Sequence, residues 1–244
     1  MILMIDKVDI LGILIDRVDM GQALDRIEEF IKLDTSNLVV TPNAEMIIRA
    51  TKDPKLREII NSAQLIVPDG AGVILAANLL GQPLSERVAG IDLVKELLAQ
   101  ANQKDYSFYF LGSAPGVANK AKEKVLKKWP KLTIIAHHGY LDRELEEQVI
   151  DEIKKEEIDI LLVGMGVPLQ EKWLATYLDQ LDIPVGIGVG GTFDILAGNK
   201  KRAPEVIQGL NLEWLYRLLQ EPKRLGRMTA LPEFIYKVLH QRLK

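Results

Sequence analysis

The chain of 244 residues contains no cysteine. This absence excludes disulfide bonds, thiolate metal sites and a cysteine nucleophile, and it is consistent with a reducing compartment. Histidine is also scarce: three are present, at positions 137, 138 and 240, and no G-x-S-x-G motif occurs, so we do not expect a Ser-His-Asp triad. His137 and His138 fall on one predicted strand and should point to opposite faces, which disfavours a shared metal ion.

The sequence lacks long apolar runs and the common phosphate-binding signatures. Its longest apolar run, residues 160–169, is far shorter than the ~20 residues that span a bilayer. The N-terminal M-I-L-M-I-D lacks the basic flank of a secretory signal. No G-x-x-x-x-G-K-[ST] motif is present, and the G-I-G-V-G-G stretch at residues 186–191 precedes too short a helical pattern for a dinucleotide fingerprint. We therefore expect a cytoplasmic protein that is neither a P-loop NTPase nor a dinucleotide-binding enzyme.

No two aspartates lie two residues apart, so the D-x-D motif that holds a divalent metal against a diphosphate is absent. If the chain binds a nucleotide diphosphate, arginines are the expected counter-charges, because a guanidinium group matches phosphate oxygens in a bidentate manner. The candidates are Arg87 and, near the end of the chain, Arg217, Arg224 and Arg227. Each arginine taken alone is better explained as a solvent-exposed charge. We predict no metal site and no cofactor.

The charge is distributed unevenly along the chain. The net charge is −3, which disfavours bulk binding to nucleic acid. Residues 200–244, however, carry ten basic and four acidic side chains, a net charge of +6, so the remaining 199 residues carry −9. A basic C-terminal segment after an acidic body predicts contact with an anionic partner, although a solvated helical face explains the charge equally well.

Short β-branched runs alternate with longer helical patterns as far as Gly198. The predicted strands are residues 8–15 (interrupted at Gly12), 37–41, 64–67, 106–111, 132–138, 158–163 and 184–189. This alternation favours an α/β fold with a mostly parallel, Rossmann-like sheet and helices on both faces. We predict an α/β body over residues 1–198, followed by an all-helical appendage over residues 199–244 that closes the site, contacts the membrane, or does both.

Polar and glycine-rich clusters follow the predicted strands. Because ligands of open α/β sheets bind at the carboxyl ends of the strands, these clusters predict a pocket at one edge of the sheet. Ordinary turns explain most of the glycines equally well. Turns explain Asp69, Gln170 and Asp194 less well, so these three are candidate site residues.

The C-terminal segment contains two apolar stripes at helical spacing. Leu212, Leu215 and Leu219 form the first stripe, beside two aromatic residues, and residues 234–239 contain the second. Apolar, aromatic and basic side chains in this arrangement suit a membrane surface. Packing on the body or on another copy of the chain is the alternative, and both interpretations stay open.

Taken in order, these segments resemble the WecG/TagA/CpsF family of glycosyltransferases. The motifs that carry the resemblance are T-P-N-A-E at 41–45, P-D-G-A-G at 68–72, R-V-A-G-I-D at 87–92, F-L-G-S at 110–113, G-V-A at 116–118, G-Y at 139–140, V-G-M-G-V-P-L-Q-E-K-W at 163–173, G-V-G-G-T-F-D-I-L-A-G at 188–198, R-A-P at 202–204 and L-E-W-L-Y-R-L-L-Q-E-P-K-R at 212–224. The chain departs from many relatives at Leu169, where they carry lysine, and the segment after Arg227 does not align.

The resemblance implies transfer of N-acetylmannosamine from its UDP donor to undecaprenyl-diphosphate-linked N-acetylglucosamine, with inversion to a β-1,4 link, as in teichoic acid linkage-unit synthesis. The implied partners are a UDP-sugar donor, a polyprenyl-diphosphate-linked N-acetylglucosamine acceptor and the inner face of the cell membrane, with a homo-oligomer possible. Two alternatives stay open. One is a transferase with another donor, such as UDP-glucose or UDP-N-acetylmannosaminuronic acid, and the other is a non-catalytic module that binds nucleotide sugars.

Position and resemblance together assign roles to individual side chains. Asp69 is the expected base and Thr41 the second catalytic residue. The expected substrate-binding residues are Asn43, Arg87, Gln170, Asp194, Arg217, Arg224 and Arg227. Plainer alternatives exist: Asp69 could cap the helix that begins at Ala71, and Gln170 could be a buried amide bound by the backbone. Glu45 is the alternative base.

Overall fold

Six parallel strands form the central sheet of the protein, seen here in a computed structural model that describes residues 6–33, 35–209, 212–220 and 230–243. The strands of this sheet are β3 Asn37–Val40, β4 Leu65–Ile66, β5 Ser107–Gly112, β6 Thr133–His137, β7 Ile160–Gly164 and β8 Val185–Gly188. Their order across the sheet is β4-β3-β8-β7-β5-β6. Every neighbouring pair is parallel, so the carboxyl ends of all six strands lie at one edge.

Helices connect and cover these strands. Within the described residues they are α1 Met20–Ile31, α2 Ala44–Lys52, α3 Pro54–Ser62, α4 Ala71–Leu79, α5 Gly90–Ala101, α6 Val117–Lys128, α7 Arg143–Ile153, α8 Leu169–Leu181, α9 Thr192–Leu196, α10 Glu205–Gly209, α11 Glu213–Gln220 and α12 Ala230–Arg242. A separate antiparallel hairpin precedes them, with strands β1 Lys7–Ile10 and β2 Ile13–Asp16.

Two apolar cores lie on opposite faces of the sheet. The hairpin and helices α2, α3, α4, α7, α8 and α12 enclose one core, and α1, α5, α6 and α9 enclose the other. Strand β5 contributes to both, because successive side chains of a strand point to opposite faces: Tyr109 and Leu111 enter the first core, and Phe108 and Phe110 enter the second. The predicted α/β fold, with a parallel sheet and helices on both faces, is confirmed.

Local sequence signals explain where several elements begin. The Asp19 carboxylate accepts a hydrogen bond from the Gln22 backbone N–H (2.8 Å), and the Gln22 side chain accepts one from the Asp19 backbone N–H (3.0 Å). This capping box fixes the start of α1. Leu11 and Gly12 both adopt positive φ angles of 54° and 85°, the geometry of a tight hairpin turn. The interruption predicted at Gly12 is therefore the turn between β1 and β2.

Helix α12 packs against α2 and α4. Its Phe234 and Val238 side chains are completely buried, and Ile235 is partly buried in the same core, whereas Leu239 remains 42% exposed. The Gln241 side chain adds polar contacts to the hairpin, since it accepts from the Leu11 N–H (2.9 Å) and donates to the Asp9 carbonyl (2.9 Å). For the second apolar stripe, packing on the body is thus the arrangement observed.

None of the helices in the described residues combines the length and the apolar character needed to cross a membrane.

The buried position of Phe234 predicts that α12 contributes strongly to stability. Phe234→Ala should lower the free energy of unfolding by about 3–5 kcal/mol, because it removes buried apolar area and leaves a cavity. Urea unfolding followed by circular dichroism measures this change. Tyr236→Ala on the same helix is the matched control, since Tyr236 is 71% exposed and its loss should change stability little. Equal effects of the two variants would show that α12 is not part of the core.

Candidate active site

A cleft opens at the carboxyl edge of the sheet, above β3, β4 and β8. Its cavity volume is about 120 Å³, and it is open to solvent on one side. Its lining residues are Thr41, Asp69, Ala89, Gly90, Ile91, Val189, Gly191, Thr192, Ile195, Lys200, Lys201, Glu213 and Gln220. The pocket predicted from the clusters after the strands is therefore present, and it contains both expected catalytic residues.

Asp69 follows β4 at the floor of this cleft. It does not cap the next helix: the N-cap residue of α4 is Gly70, with a φ angle of 88°, and α4 begins without a side-chain cap. A positive φ favours glycine at this position, because a Cβ would be strained there. Asp69 therefore lines the cleft without serving as the cap of α4.

Thr41 and Asn43 lie on the loop between β3 and α2. Thr41 is 9% exposed and packs closely on the start of α5, since a Cβ on Gly90 would lie 3.0 Å from the Thr41 Oγ1. Asn43 is outside the lining of the cleft and caps α2, because its Oδ1 accepts from the Met46 N–H (3.0 Å). It nevertheless lies beside the Asp69 turn, 3.5 Å from the position of a Cβ on Gly70.

The Gln170 side chain joins two loops of the site. Its Oε1 accepts from the backbone N–H of Gly166 (3.1 Å) and from that of Gly190 (2.9 Å), so it bridges the loops after β7 and β8. Its Nε2 donates to the Glu171 carboxylate (2.7 Å). Gln170 is 2% exposed, and a Cβ on Gly188 would lie 2.7 Å from its Nε2. Gln170 therefore joins the loop after β8, which lines the cleft, to the neighbouring loop after β7, and does not itself line the cleft.

Glu171 fixes the orientation of the Gln170 amide. Burial raises the pKa of the Glu171 carboxyl group, and the hydrogen bond from Gln170 opposes that rise. Its Oε2 atom is buried and has no hydrogen-bond partner among the described residues. This environment makes the Glu171 carboxyl group harder to ionise, and its Oε1 serves as the acceptor for Gln170.

Asp194 lies on α9, next to the loop after β5. The Ser113 hydroxyl is 3.5 Å from the Asp194 Oδ2, a long contact that leaves the carboxylate able to exchange partners. The loop is tightly built: Gly112 has a φ of 157°, and a Cβ there would lie 2.6 Å from the Gly164 backbone. The glycines of these motifs therefore let β5 and β7 approach closely beside Asp194.

A network of charged side chains borders the other end of the cleft. The Arg87 Nη2 is 3.4 Å from the Glu213 Oε2, and the Arg202 Nε is 3.8 Å from the Glu213 Oε1. Arg202 also forms a two-pronged ion pair with Asp92 on α5. Burial lowers the pKa of the Arg202 guanidinium, but Asp92, Glu213 and Asp69 raise it overall, so Arg202 remains a cation close to Asp69.

Of the three candidate arginines in the C-terminal segment, Arg217 is the one that lies within the described residues. Arg217 lies on α11, whose first and last residues, Glu213 and Gln220, line the cleft. Arg224 and Arg227 lie outside the described residues. The expected diphosphate contacts of these three arginines stay predictions.

The two neighbouring histidines do not point to opposite faces. Their ring centroids are 4.3 Å apart, because β6 ends at His137 and the alternation of a strand does not extend to His138. The expectation from strand alternation was wrong here. Burial, and to a lesser degree His137, lowers the pKa of the His138 imidazole. Across the described ranges no three His, Asp or Glu side chains lie close enough together to hold a metal ion.

Sequence reasoning missed four residues that line the cleft: Lys200, Lys201, Glu213 and Gln220. Lys200 and Lys201 begin the basic segment, and Glu213 stands inside the L-E-W motif, so the signals were present. The segment after residue 199 was expected to close the site or to contact the membrane, but nothing in the sequence indicated which of its side chains reach the edge of β3 and β8.

Comparison with known proteins agrees with this geometry. The chain matches the glycosyl transferase WecG/TagA/CpsF family over residues 8–244. It is 39% identical over 240 residues to N-acetylglucosaminyldiphosphoundecaprenol N-acetyl-beta-D-mannosaminyltransferases of Staphylococcus aureus, strains MW2 and NCTC 8325 / PS 47. These alignments cover 98% of this chain and 94% of each relative.

The family match includes every strand end that contributes to the cleft, together with α11 and α12. It confirms the resemblance that the sequence motifs indicated. The protein is an enzyme, and its chain belongs to the WecG/TagA/CpsF family of glycosyltransferases.

Proposed function

We propose that this enzyme transfers N-acetylmannosamine from UDP-N-acetylmannosamine to undecaprenyl-diphosphate-linked N-acetylglucosamine, forming the β-1,4 link of a teichoic acid linkage unit. The observation that carries the proposal is the position of Asp69, a carboxylate that lines a cleft at the carboxyl edge of the sheet together with Thr41 and two lysines. The names of the Staphylococcus aureus relatives support the choice of acceptor and transferred sugar.

The proposed chemistry is a single displacement with inversion at the sugar C1. The acceptor hydroxyl oxygen attacks C1 while the bond between C1 and the UDP oxygen breaks. The hydroxyl proton passes to the Asp69 carboxylate, and the electron pair of the broken bond leaves with UDP. Asp69 thus acts as general base, a role in which a positioned carboxylate contributes about 10²–10⁴-fold to the rate. Thr41, across the cleft, hydrogen-bonds the sugar or the diphosphate.

Cationic side chains stabilise the departing diphosphate in this scheme. Lys200 and Lys201 line the cleft. Arg87 contacts Glu213, which also lines the cleft, and Arg217 is on the helix that borders the cleft. Charge-assisted contacts to a diphosphate grow stronger as negative charge develops on the leaving group, so these cations favour the transition state. Arg224 and Arg227 complete the set in our proposal.

The remaining predicted residues take supporting roles. Asp194 lies outside the lining of the described cleft, on α9 next to the loop after β5, and it orients the nucleotide from there through a carboxylate whose contact to Ser113 is long enough to exchange. Gln170 acts by holding the Gly166 and Gly190 loops in place. Asn43 holds the start of α2 beside the Asp69 turn, with its Nδ2 directed to the sugar or diphosphate once the donor is bound.

We further propose that the enzyme works at the inner face of the cell membrane, bound to its surface. Its proposed acceptor is lipid-linked, and apolar side chains remain exposed on the part of α11 and the turn before it that borders the cleft: Leu212, Trp214, Leu215 and Leu219. Their exposure beside a basic segment suits the headgroup region of an anionic bilayer.

Transfer should not depend on a divalent metal. Purified enzyme, UDP-N-acetylmannosamine and a short-chain lipid-diphosphate-N-acetylglucosamine should yield the disaccharide product at the same rate in excess EDTA, because cationic side chains supply the counter-charge. Mass spectrometry of the lipid product measures this rate. Parallel reactions with UDP-glucose and UDP-N-acetylmannosaminuronic acid test the donor. Loss of product with EDTA that Mg²⁺ or Mn²⁺ restores would contradict the metal-free mechanism, and product from another donor alone would replace the proposed one.

Asp69→Asn should lower kcat by about 10²–10⁴-fold and leave the Kd for UDP nearly unchanged, because the amide keeps the size of the side chain but cannot accept the proton. Single-turnover assays and calorimetry measure the two quantities. Asp142→Asn is the matched control: Asp142 caps α7 away from the cleft, and asparagine caps equally well. Retained turnover in Asp69→Asn, with loss of turnover in Glu45→Gln, would move the base to Glu45.

Single substitutions Arg217→Ala, Arg224→Ala and Arg227→Ala should each lower kcat/KM by about 10- to 150-fold. Each removes a charge-assisted contact worth roughly 1.5–3 kcal/mol in the transition state. The melting temperature of the enzyme without donor should hardly change, because the proposed contacts form only with the bound diphosphate. Arg242→Ala, an exposed position at the end of α12, serves as the control. Full activity of all three variants would exclude the diphosphate role.

A further inference from the structure

The Glu213 carboxylate occupies a position between two guanidinium groups at the border of the cleft. It contacts Arg87 at 3.4 Å and Arg202 at 3.8 Å, and its side chain is only 9% exposed. Both arginine side chains are also largely buried, at 17% and 14% exposure. Glu213 is at the same time the first residue of α11 and part of the lining of the cleft.

The two arginines differ in how firmly they are held. Arg202 binds both oxygens of Asp92 through its two terminal nitrogens, a bidentate pairing that fixes the guanidinium plane. Within the described part of the chain, the recorded polar contact of Arg87 is the single 3.4 Å contact to Glu213. Arg202 is therefore an anchor, and Arg87 is the arginine whose partner can be exchanged.

The charge of a nucleoside diphosphate conflicts with Glu213. Asp69 and Glu213 are the acidic residues among those that line the described cleft, and Glu213 is the one that lies against Arg87. A diphosphate brought into the cleft is repelled by a buried carboxylate, because like charges interact strongly where water is excluded. The conflict is removed if the diphosphate takes the place of the carboxylate on Arg87.

We propose that Glu213 is a built-in competitor of the donor diphosphate: the Glu213 carboxylate pairs with Arg87, and the diphosphate of a bound donor replaces the carboxylate there. This inference rests on the proposed function, since it assumes a nucleoside diphosphate donor. Because Glu213 begins α11 and Gln220 ends it at the cleft, the exchange links donor binding to the position of α11. Glu213 is accordingly a positioning residue for α11 and for Arg87.

Glu213→Gln tests the exchange. Loss of the competing charge should lower the Kd for UDP by about 5- to 10-fold, at the lower end of the coupling between linked binding events. The substitution also weakens the ion pairs that hold the start of α11. It should therefore lower kcat at saturating donor by about 10-fold, less than the ~10²-fold loss that a 1 Å misplacement can cause. Calorimetry with UDP and steady-state transfer assays measure the two quantities. If Glu213 served only stability, Glu213→Gln would lower kcat and weaken UDP binding together, and it would not tighten UDP binding.

A double-mutant cycle identifies the arginine concerned. In an Arg87→Gln background, Glu213→Gln should no longer tighten UDP binding, because no Arg87 cation remains to be released. Glu205→Gln is the matched control, since Glu205 is an exposed carboxylate on the neighbouring helix α10. It should leave both UDP binding and kcat unchanged.

The inference is overturned if Glu213→Gln leaves the Kd for UDP unchanged or raises it. It is also overturned if Glu213→Gln still tightens UDP binding in the Arg87→Gln background. Should the glutamine variant fail to fold, Glu213→Asp replaces it: the shorter carboxylate cannot reach both arginines, and UDP binding must again tighten by more than 2-fold. These outcomes are separate from those that test the reaction. Wild-type enzyme that binds UDP but transfers no N-acetylmannosamine would refute the proposed transfer and still allow the Kd comparison.

Discussion

All six strands of the sheet run in one direction, and the candidate site depends on that constraint. Parallel pairing places the loops after β3, β4 and β8 at the same edge, which is how Thr41, Asp69 and Gly191 come to line one cleft. Reversal of any one of these strands would carry its loop to the opposite edge. Gln170 then sets the spacing between two neighbouring loops, so sheet direction and one buried amide together define the shape of the site.

The parts that could be predicted from the sequence are those governed by local rules. Alternating apolar runs locate the strands, a capping box locates the start of α1, and the carboxyl ends of the strands indicate Asp69 and Thr41. For Gln170, the sequence indicated a place in the site but not the hydrogen-bond partners. Its motif identified it as a site residue, but its hydrogen bonds go to backbone groups of two loops 24 residues apart, Gly166 and Gly190. Sequence spacing does not reveal which loops a side chain will join.

The charged network shows why the rest could not be predicted. Arg202 and Asp92 are separated by 110 positions, and Arg87 and Glu213 by 126. Each of these residues, read alone, resembles an ordinary surface charge. Only the return of the chain after Asn199 to the edge of the sheet buries them against one another. The energetic consequence is mutual dependence: a buried charge that loses its partner is costly, so these four side chains act as one group.

The docking of α12 has a consequence for the order in which the protein is made. Translation proceeds from the N-terminus, so α2 and α4 leave the ribosome long before Phe234 and Val238, which cover them. During that interval one apolar face of the body lacks its cover and is open to chaperones or to self-association. Docking of the last helix thus completes the core. A nascent chain that ends before residue 230 already contains the strands and Asp69, but it exposes an apolar surface that α12 covers in the finished enzyme.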